Sequence, residues 1–445
     1  MSLSDLFGVV VFIGIVFAVL GKWHRTIQTL ENSELQREIH EAESEGATQA
    51  LTQHPQIDSN HCVGCGSCVL ACPEHGVLAV VEGRARLVRA SHCVGHGCCE
   101  TACPVGALTV GLGDVSKRND IPVLAEDGET SVPGVYIAGE LAGIGLIRHA
   151  IAQGVSSVEA IARKVKDAES KPEGLDLLIV GCGPAGIAAA LRAHELGLHF
   201  KVIDQSGIGG SVRKYPRNKM TLTQPVNLPV FGKMKRTQYL KEELIELWET
   251  VLGQAEIMVE GGVKFQSLET VAPGEFRAVT STGDIHCRTC LLALGRRGTP
   301  RKLNVSGEES ERVLYQLIDA ADYTNQNLLV VGGGDSAIEA ALALAMQPGN
   351  QVTLSYRRSA FFRIKARNRD QLEEMTGNGK VTLLFNSQVE RIEEGRCSIQ
   401  TEEGVQLVRA DFVFVMAGGE PPYPLLKKVG IQFGGESEAV AEAIV

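Results

Sequence analysis

Hydrophobic and polar positions follow several different periods along this chain, and each period predicts a different element. The first run, Leu6 to Leu20 (LFGVVVFIGIVFAVL), carries no charge. Extended from Leu3 to Trp23 it is long enough to cross a hydrocarbon core of ~30 Å as a helix. Asp5 precedes it, and Lys22, His24 and Arg25 follow it. The positive-inside rule therefore predicts a single-pass anchor in the inner (cytoplasmic) membrane, N-terminus outside and later residues in the cytoplasm. A cleaved secretory signal would start basic and end on small residues, whereas this run starts acidic and ends in Lys-Trp-His-Arg. Residues 1–25 are read as the anchor. Residues 26–53, rich in Glu, Gln and Ser with no sustained heptad, are read as a solvated helical stalk.

Further along, residues 77–90 (VLAVVEGRARLVRA) alternate with period two around Glu82-Gly83 and predict a hairpin. Two apolar strands each lead through a glycine turn into a helical stretch. Leu175 to Val180 precedes a helix to about Leu196 and a strand from Phe200 to Ile203. Leu328 to Val331 precedes the helix AIEAALALA and the strand VTLSY. Two more apolar runs, Cys290 to Gly295 and Phe412 to Gly418, read as buried strands.

Composition narrows the classes. The chain has 445 residues, 44% of them apolar and 22% charged, which excludes a disordered, collagen-like or coiled-coil protein. A net charge of −10 argues against a nucleic-acid binder. Of the 12 cysteines, eight crowd between Cys62 and Cys103. Local spacing of this kind points to metal rather than to a disulfide framework.

The first cysteine run is Cys62-x2-Cys65-x2-Cys68-x3-Cys72-Pro73, the spacing that holds a [4Fe–4S] cluster in bacterial-type ferredoxins. The second, CVGHGCCETACP, keeps Cys93, Cys99, Cys103 and Pro104 in register but puts His96 where Cys65 stands in the first. A spare thiol, Cys98, precedes Cys99. In the crossed pattern, cluster one takes Cys62, Cys65, Cys68 and Cys103, and cluster two takes Cys72, Cys93 and Cys99. The fourth corner of cluster two has three readings: His96 ligates, Cys98 substitutes, or the corner is empty and a [3Fe–4S] cluster forms. The segment 54–114 resembles a two-cluster ferredoxin throughout.

The first glycine turn is Gly181-Cys182-Gly183-Pro184-Ala185-Gly186, with Asp204 closing the next strand. This is G-x-G-x-x-G in its strand–turn–helix setting, with an acid placed for a ribose hydroxyl pair. The helix N-terminus and the bare glycine backbone would receive a pyrophosphate. The second turn is Gly332-Gly333-Gly334-Asp335-Ser336-Ala337. Its following strand ends in Arg357-Arg358 rather than an acid, which suits a 2′-phosphate and favours NADPH over NADH.

Glycine motifs in this order, joined by CLLALG-RRGTPRKL and FVFVMAG-GEPP, resemble the two-dinucleotide-binding flavoprotein superfamily of thioredoxin reductases and their bacillithiol-disulfide-reductase-like relatives. Tyr215-Pro216, TQPVNLPVFGK and SYRRSAFFRIKARN are similar to the latter branch. The resemblance covers about residues 171–434 and implies FAD at the first turn and NADPH (or NADH) at the second. It also implies a closing strand that ends in Gly-Asp against the flavin ribityl chain. No such element follows Ala417. Upstream, however, VPGVYIAGELAGIG supplies it, with Gly139-Glu140 in place of Gly-Asp. The variant GEL together with CVGHG resembles permuted ferredoxin–flavoprotein fusions.

The expected fold class is α/β: two Rossmann-like dinucleotide-binding domains, the FAD domain circularly permuted, with an α+β two-cluster ferredoxin domain and one N-terminal transmembrane helix. The expected boundaries are 54–114 for the ferredoxin domain and 115–170 for the displaced lobe of the FAD domain. The FAD domain proper takes 171–297, the NAD(P) domain 298–412, and the return to the FAD domain 413–445. The expected activity is electron exchange between NAD(P)H, FAD and two iron–sulfur clusters, with an electron-carrier protein or membrane redox partner, in either direction. One alternative is a redox-sensing or docking module of a membrane complex. Another is a thiol–disulfide reductase using Cys287 and Cys290, although their i,i+3 spacing on a strand predicts opposite faces. A homodimer is compatible with the sequence.

Overall fold

A computed structural model describes residues 19–23, 33, 35–37, 39–40, 54–111 except 75 and 94, 120–167, and 174–434 except 223–224, 297 and 362–363. Apart from residues 19–23, which are helical, the expected anchor lies outside the described residues. Among the described residues no helix is long and apolar enough to cross a membrane. The chain divides into two compact units, with the boundary at Gly111/Leu112, close to the end expected for the cysteine-rich domain.

The first unit is small. Strand β1 (His54–Ile57) pairs antiparallel with β4 (Leu108–Gly111). Between them, β2 (Leu78–Val81) and β3 (Arg84–Leu87) form the expected hairpin. Its two-residue turn has positive φ at both Glu82 (51°) and Gly83 (73°), the left-handed pair that matches strand twist in tight hairpins. Two short helices, α1 (Ser67–Ala71) and α2 (Cys98–Thr101), each start from a left-handed glycine, Gly66 and Gly97. The core is thin: Val77, Leu78, Ala85 and Leu108 pack with Cys68 and Cys99. So few apolar residues contribute little on their own, which fits a unit designed around inorganic cross-links.

The second unit carries two parallel sheets. In the first, β5 (Val135–Ile137) precedes the long helix α3 (Ile147–Asp167), β6 (Leu175–Val180), helix α4 (Pro184–Glu195) and β7 (Phe200–Asp204). Helix α5 (Lys241–Gln254), β8 (Val259–Gly261), β9 (Phe265–Ala272), β10 (Glu275–Thr280) and β11 (Gly283–Leu292) follow. The parallel order is β8-β7-β6-β11-β5. Strand β5, from before the first glycine turn, is thus the outermost parallel strand, with Val135 opposite Cys290 and Ile137 opposite Leu292. Its neighbour β11 changes partner midway. Gly283 to Cys287 pair antiparallel with β10, and Cys290 to Leu292 pair parallel with β5.

Two apolar layers sandwich this sheet. One joins α3, α4 and α5 through residues such as Ile151, Ile161, Ile187, Leu244 and Trp248. Helices α3 and α4 approach closely because Gly154 lacks a side chain: a Cβ there would fall 2.2 Å from the Ala185 carbonyl oxygen. The other layer takes Leu426, Ile431 and Phe433 from the C-terminal segment. That segment runs back beside residues 121–123, with Gly434 N donating to Ile121 O (3.1 Å) and Val123 N to Gln432 O (2.9 Å).

The second parallel sheet has the order β12 (Val313–Leu314), β19 (Phe412–Val415), β13 (Asn327–Val331), β14 (Gln351–Ser355), β15 (Val381–Leu384). Helices α6 (Asp335–Ala345) and α7 (Ala366–Gly377) cover it, and an antiparallel meander of β16 (Gln388–Glu393), β17 (Arg396–Thr401) and β18 (Gly404–Arg409) precedes β19. The chain leaves the first sheet through residues 299–300 and returns through 419–420, and these two crossings pair antiparallel. The second sheet is therefore an insertion in the first, as the order of motifs predicts.

Candidate functional site

The cysteine-rich unit sorts its thiols into two groups. Cys62, Cys65, Cys68 and Cys103 line one small cavity. The β1–β4 pairing brings the second run's last cysteine to the first run, so the crossed set converges. Backbone amides point at the sulfurs: Ala85 N donates to Cys62 Sγ (3.3 Å) and Ala107 N to Cys103 Sγ (3.2 Å). Such N–H groups stabilise thiolate charge on a cluster. Gly64 permits the loop, because a Cβ there would overlap the Gly83 carbonyl oxygen. Cys65 is exposed, and the Ser67 hydroxyl beside it lowers its thiol below the usual range.

Cys72, Cys93 and Cys99 form the second group. Burial pushes the Cys99 thiol up to about 11, and the nearby Cys72 and Cys93 thiols push the same way. Gly95 N donates to Cys93 Sγ (3.3 Å). Cys98 opens α2 and adds its charge to the surroundings of Cys72, while His96 is half-buried in the preceding loop. Glu74, which the motif reading passes over, acts electrostatically on both Cys72 and Cys93. Among the described residues no three His, Cys, Asp or Glu side chains converge as they would on a single metal ion. A cubane spreads its ligands over four irons, so it does not require the convergence that a single ion does.

The first glycine turn is built by close approach. Gly181 (φ +106°) lies where a Cβ would meet the Ala293 carbonyl oxygen at 2.4 Å, and a Cβ on Gly186 would lie 1.9 Å from Gly181 O. Gly183 has open space by contrast, its nearest neighbour being Gly210 Cα at 3.9 Å, so backbone is bared there toward a ligand. Pro184 and Ala185 start α4. Asp204 ends β7 as expected, but its carboxylate is already engaged: it accepts from Cys182 N (2.7 Å), Ser206 N (2.6 Å) and Gly207 N (2.8 Å). It therefore braces the turn, with lone pairs left for a ribose hydroxyl. Cys182 packs wholly buried beneath, its thiol pushed up to about 12 by burial.

Gly139 reaches this same turn from the upstream lobe, and Glu140 follows it. Gly139 (φ +88°) places its Cα so that a Cβ would lie 3.2 Å from Ala185 Cβ, and its N–H donates to Gln153 Oε1 (2.9 Å). Glu140 begins a short 3-10 turn, half-buried, with its carboxylate beside Gly145. Sequence reasoning missed Gln153, which no motif marks.

The second turn opens onto a cavity of about 1040 Å³. Gly332, Gly334, Asp335 and Ser336 line it, and so do Arg357 and Arg358 from the end of β14, both exposed. Gly334 has nothing within 4 Å of where a Cβ would stand, whereas at Gly333 a Cβ would strike the Tyr356 ring at 2.1 Å. Ala337 is buried under the turn. Lys219, from the other lobe, also lines the cavity and pairs with Glu339 on α6 at 2.6 Å. No sequence pattern announces Lys219; only the fold brings it there.

Cys287 and Cys290 are fully buried on β11, and burial pushes the Cys287 thiol up to about 12 and that of Cys290 well above its ordinary value. Both join one apolar cluster, and β11 keeps a single register against β6 from Cys287 to Leu292, so nothing interrupts the expected alternation between them. Neither thiol is accessible to a disulfide substrate, which weighs against the reductase alternative.

Comparison with known proteins agrees with this geometry. Residues 178–442 match the family described as pyridine nucleotide-disulphide oxidoreductase, and residues 54–104 match the 4Fe-4S dicluster domain. Bacilliredoxin reductase Bdr of Bacillus subtilis (strain 168) is 25% identical over 265 residues, covering 58% of this chain and 82% of its own. A ferredoxin–NADP reductase of Ignicoccus hospitalis is 27% identical over 271 residues, covering 59% and 83%. Among solved structures, bacillithiol disulfide reductase Bdr from Bacillus cereus superposes with a TM-score of 0.52 at 24% identity, covering 57% of this chain and 81% of that one.

Proposed function

The chain belongs to the pyridine nucleotide-disulphide oxidoreductase family, and on that premise we propose that it passes electrons between NADPH, FAD and two iron–sulfur clusters. It is an NAD(P)H-dependent flavin oxidoreductase with a 4Fe-4S ferredoxin domain. The proposal adds the cofactor assignment and the outward transfer to a carrier protein or membrane redox partner. The observation that carries it is the coexistence, in one chain, of two glycine turns with bare backbone and a cavity lined by four cysteines. When bound, the nicotinamide supplies a hydride, the flavin takes both electrons and gives them up singly, and each cluster takes one.

The chain's own residues do the placing. Gly183 bares backbone at the N-terminus of α4, where a pyrophosphate is favoured by amide donors and helix dipole. Asp204 fixes the turn that presents it. Arg357 and Arg358 offer guanidinium forks to a 2′-phosphate. Amide donors to Cys62, Cys93 and Cys103 hold thiolate charge on the clusters. No proton-transferring residue is required for hydride transfer, and none is assigned.

The FAD domain is proposed to be circularly permuted. Strand β5 and helix α3 take the last positions of its sheet and helical layer from an upstream segment. The family match starts only at residue 178, and the relatives keep part of their own length unmatched, which supports the same reading. The apolar run at Leu3–Trp23 is proposed to anchor the protein in the membrane.

The test is anaerobic addition of NADPH to holoprotein, following flavin absorbance and the EPR of reduced clusters. Flavin bleaching followed by cluster signals supports the proposal. Absence of flavin bleaching, or bleaching with no cluster ever reduced, refutes it.

A further inference from the structure

Asp335 occupies the first helical position of α6, in the glycine turn, where a carboxylate would confront an incoming pyrophosphate. Its Oδ1 is instead turned to the protein: it accepts from Lys365 N (2.9 Å) and from Asn368 Nδ2 (2.7 Å). Lys365 caps α7 and Asn368 is buried in its first turn. These two residues end the segment that starts at Tyr356 and carries Arg357 and Arg358. The segment's other end is tied as well, with Tyr356 N donating to Leu384 O (2.8 Å), Ser387 N to Tyr356 O (3.1 Å) and Asn386 N to Arg358 O (3.1 Å). In its middle, Phe361 stacks on Tyr356 with ring centroids 5.3 Å apart, and its carbonyl accepts from Arg369 Nη2.

We propose that Asp335 and Asn368 are positioning residues that set selectivity for a dinucleotide bearing a phosphate on its adenosine ribose. The glycine turn receives the pyrophosphate and the arginine segment receives the 2′-phosphate. Both must be met at once, so their separation has to be fixed before binding. Asp335 joins the turn to the far end of the segment: its backbone belongs to the turn and its side chain holds Lys365 N and Asn368 Nδ2. Without that tie the segment would be held at its Tyr356–Arg358 end alone, and more of its order would have to be acquired on binding, at a cost in affinity. The two N–H donors also draw the carboxylate's charge away from the cavity. This proposal rests on the NADPH reading of the second site.

The test is calorimetric binding of adenosine 2′,5′-bisphosphate and of AMP to the FAD-loaded protein, the two ligands differing only in the 2′-phosphate. The wild type should prefer the bisphosphate. Asn368→Ala and Asp335→Ala should each weaken the bisphosphate by about 5- to 30-fold and AMP by less than about twofold. Asp335→Asn keeps the accepting oxygen and should restore most of the preference. An unchanged preference in both alanine variants overturns the positioning role alone. Equal weakening of both ligands also overturns it, since that marks a purely structural role. A wild type that does not prefer the bisphosphate overturns this proposal and the NADPH reading together.

Discussion

The two glycine turns share a backbone plan and differ in what stands at the end of the following strand. After the first, Asp204 is locked between Cys182 N and the Ser206 and Gly207 amides, an anion built into the turn. After the second, the backbone of residues 356–358 is pinned, but the Arg357 and Arg358 side chains are exposed at the cavity wall. The turns are also tight in different places. In the first, the third glycine, Gly186, cannot carry a side chain. In the second, Ala337 is tolerated at that position and Gly333 becomes strict instead, while the first glycine, Gly181 or Gly332, is equally strict in both. On the proposed reading one scaffold serves two nucleotides, and the choice between them rests on the sign of the charge at a strand end.

The largest expected effect comes from breaking the first turn. Gly186→Val would drive a side chain into the Gly181 carbonyl, so the purified protein should keep less than about a tenth of its flavin, measured as FAD per chain. Next is the second strand end. Replacing Arg357 and Arg358 together by alanine should raise the Kd for NADPH by about 10- to 100-fold and leave NADH within about twofold. Hydrogen bonds to charged groups contribute about 1.5–3 kcal/mol each. A smaller effect follows from Lys219→Met, which leaves the Glu339 carboxylate unpaired in the cavity. NADPH and NADH should both weaken, by about threefold, and a second change, Glu339→Gln, should recover most of the loss. That symmetry would separate Lys219 from the arginines.

The smallest effect concerns the thiols beside the first turn. Cys287→Ser and Cys290→Ser should leave NADPH-driven reduction of a viologen within about twofold. With its folded value raised to about 12, the Cys287 thiol stays protonated where an unfolded cysteine, near 9.0, already ionises. Its contribution to stability is therefore full below pH ~9 and is lost as pH rises from there toward 12. Thermal unfolding followed across that window should show a falling Tm, and iodoacetamide labelling of Cys287 should appear only with unfolding.

Much of this was legible in the residues. The crossed pattern grouped Cys103 with Cys62, Cys65 and Cys68, and these four do line one cavity, while Gly-x-Gly-x-x-Gly marked the first turn because it is a local pattern with strict steric needs. The upstream VYIAGE segment was recognisable because a closing strand was missing downstream. Lys219, Gln153 and Asn368 were not legible: each reaches its site through chain folding and sits in no repeated spacing. Asp335 was legible as part of the second turn, but the engagement of its carboxylate by Lys365 and Asn368 was not.

The central claim is that the first turn holds FAD and the second delivers NADPH to it. An anaerobic titration of the FAD-loaded protein with NADPH and, in parallel, with NADH tests it most directly, with flavin absorbance as the readout. Half-bleaching by NADPH should require at least about tenfold less nucleotide than by NADH, the equivalent of ~1.4 kcal/mol. Equal requirements, or a flavin that neither nucleotide bleaches, would contradict the account.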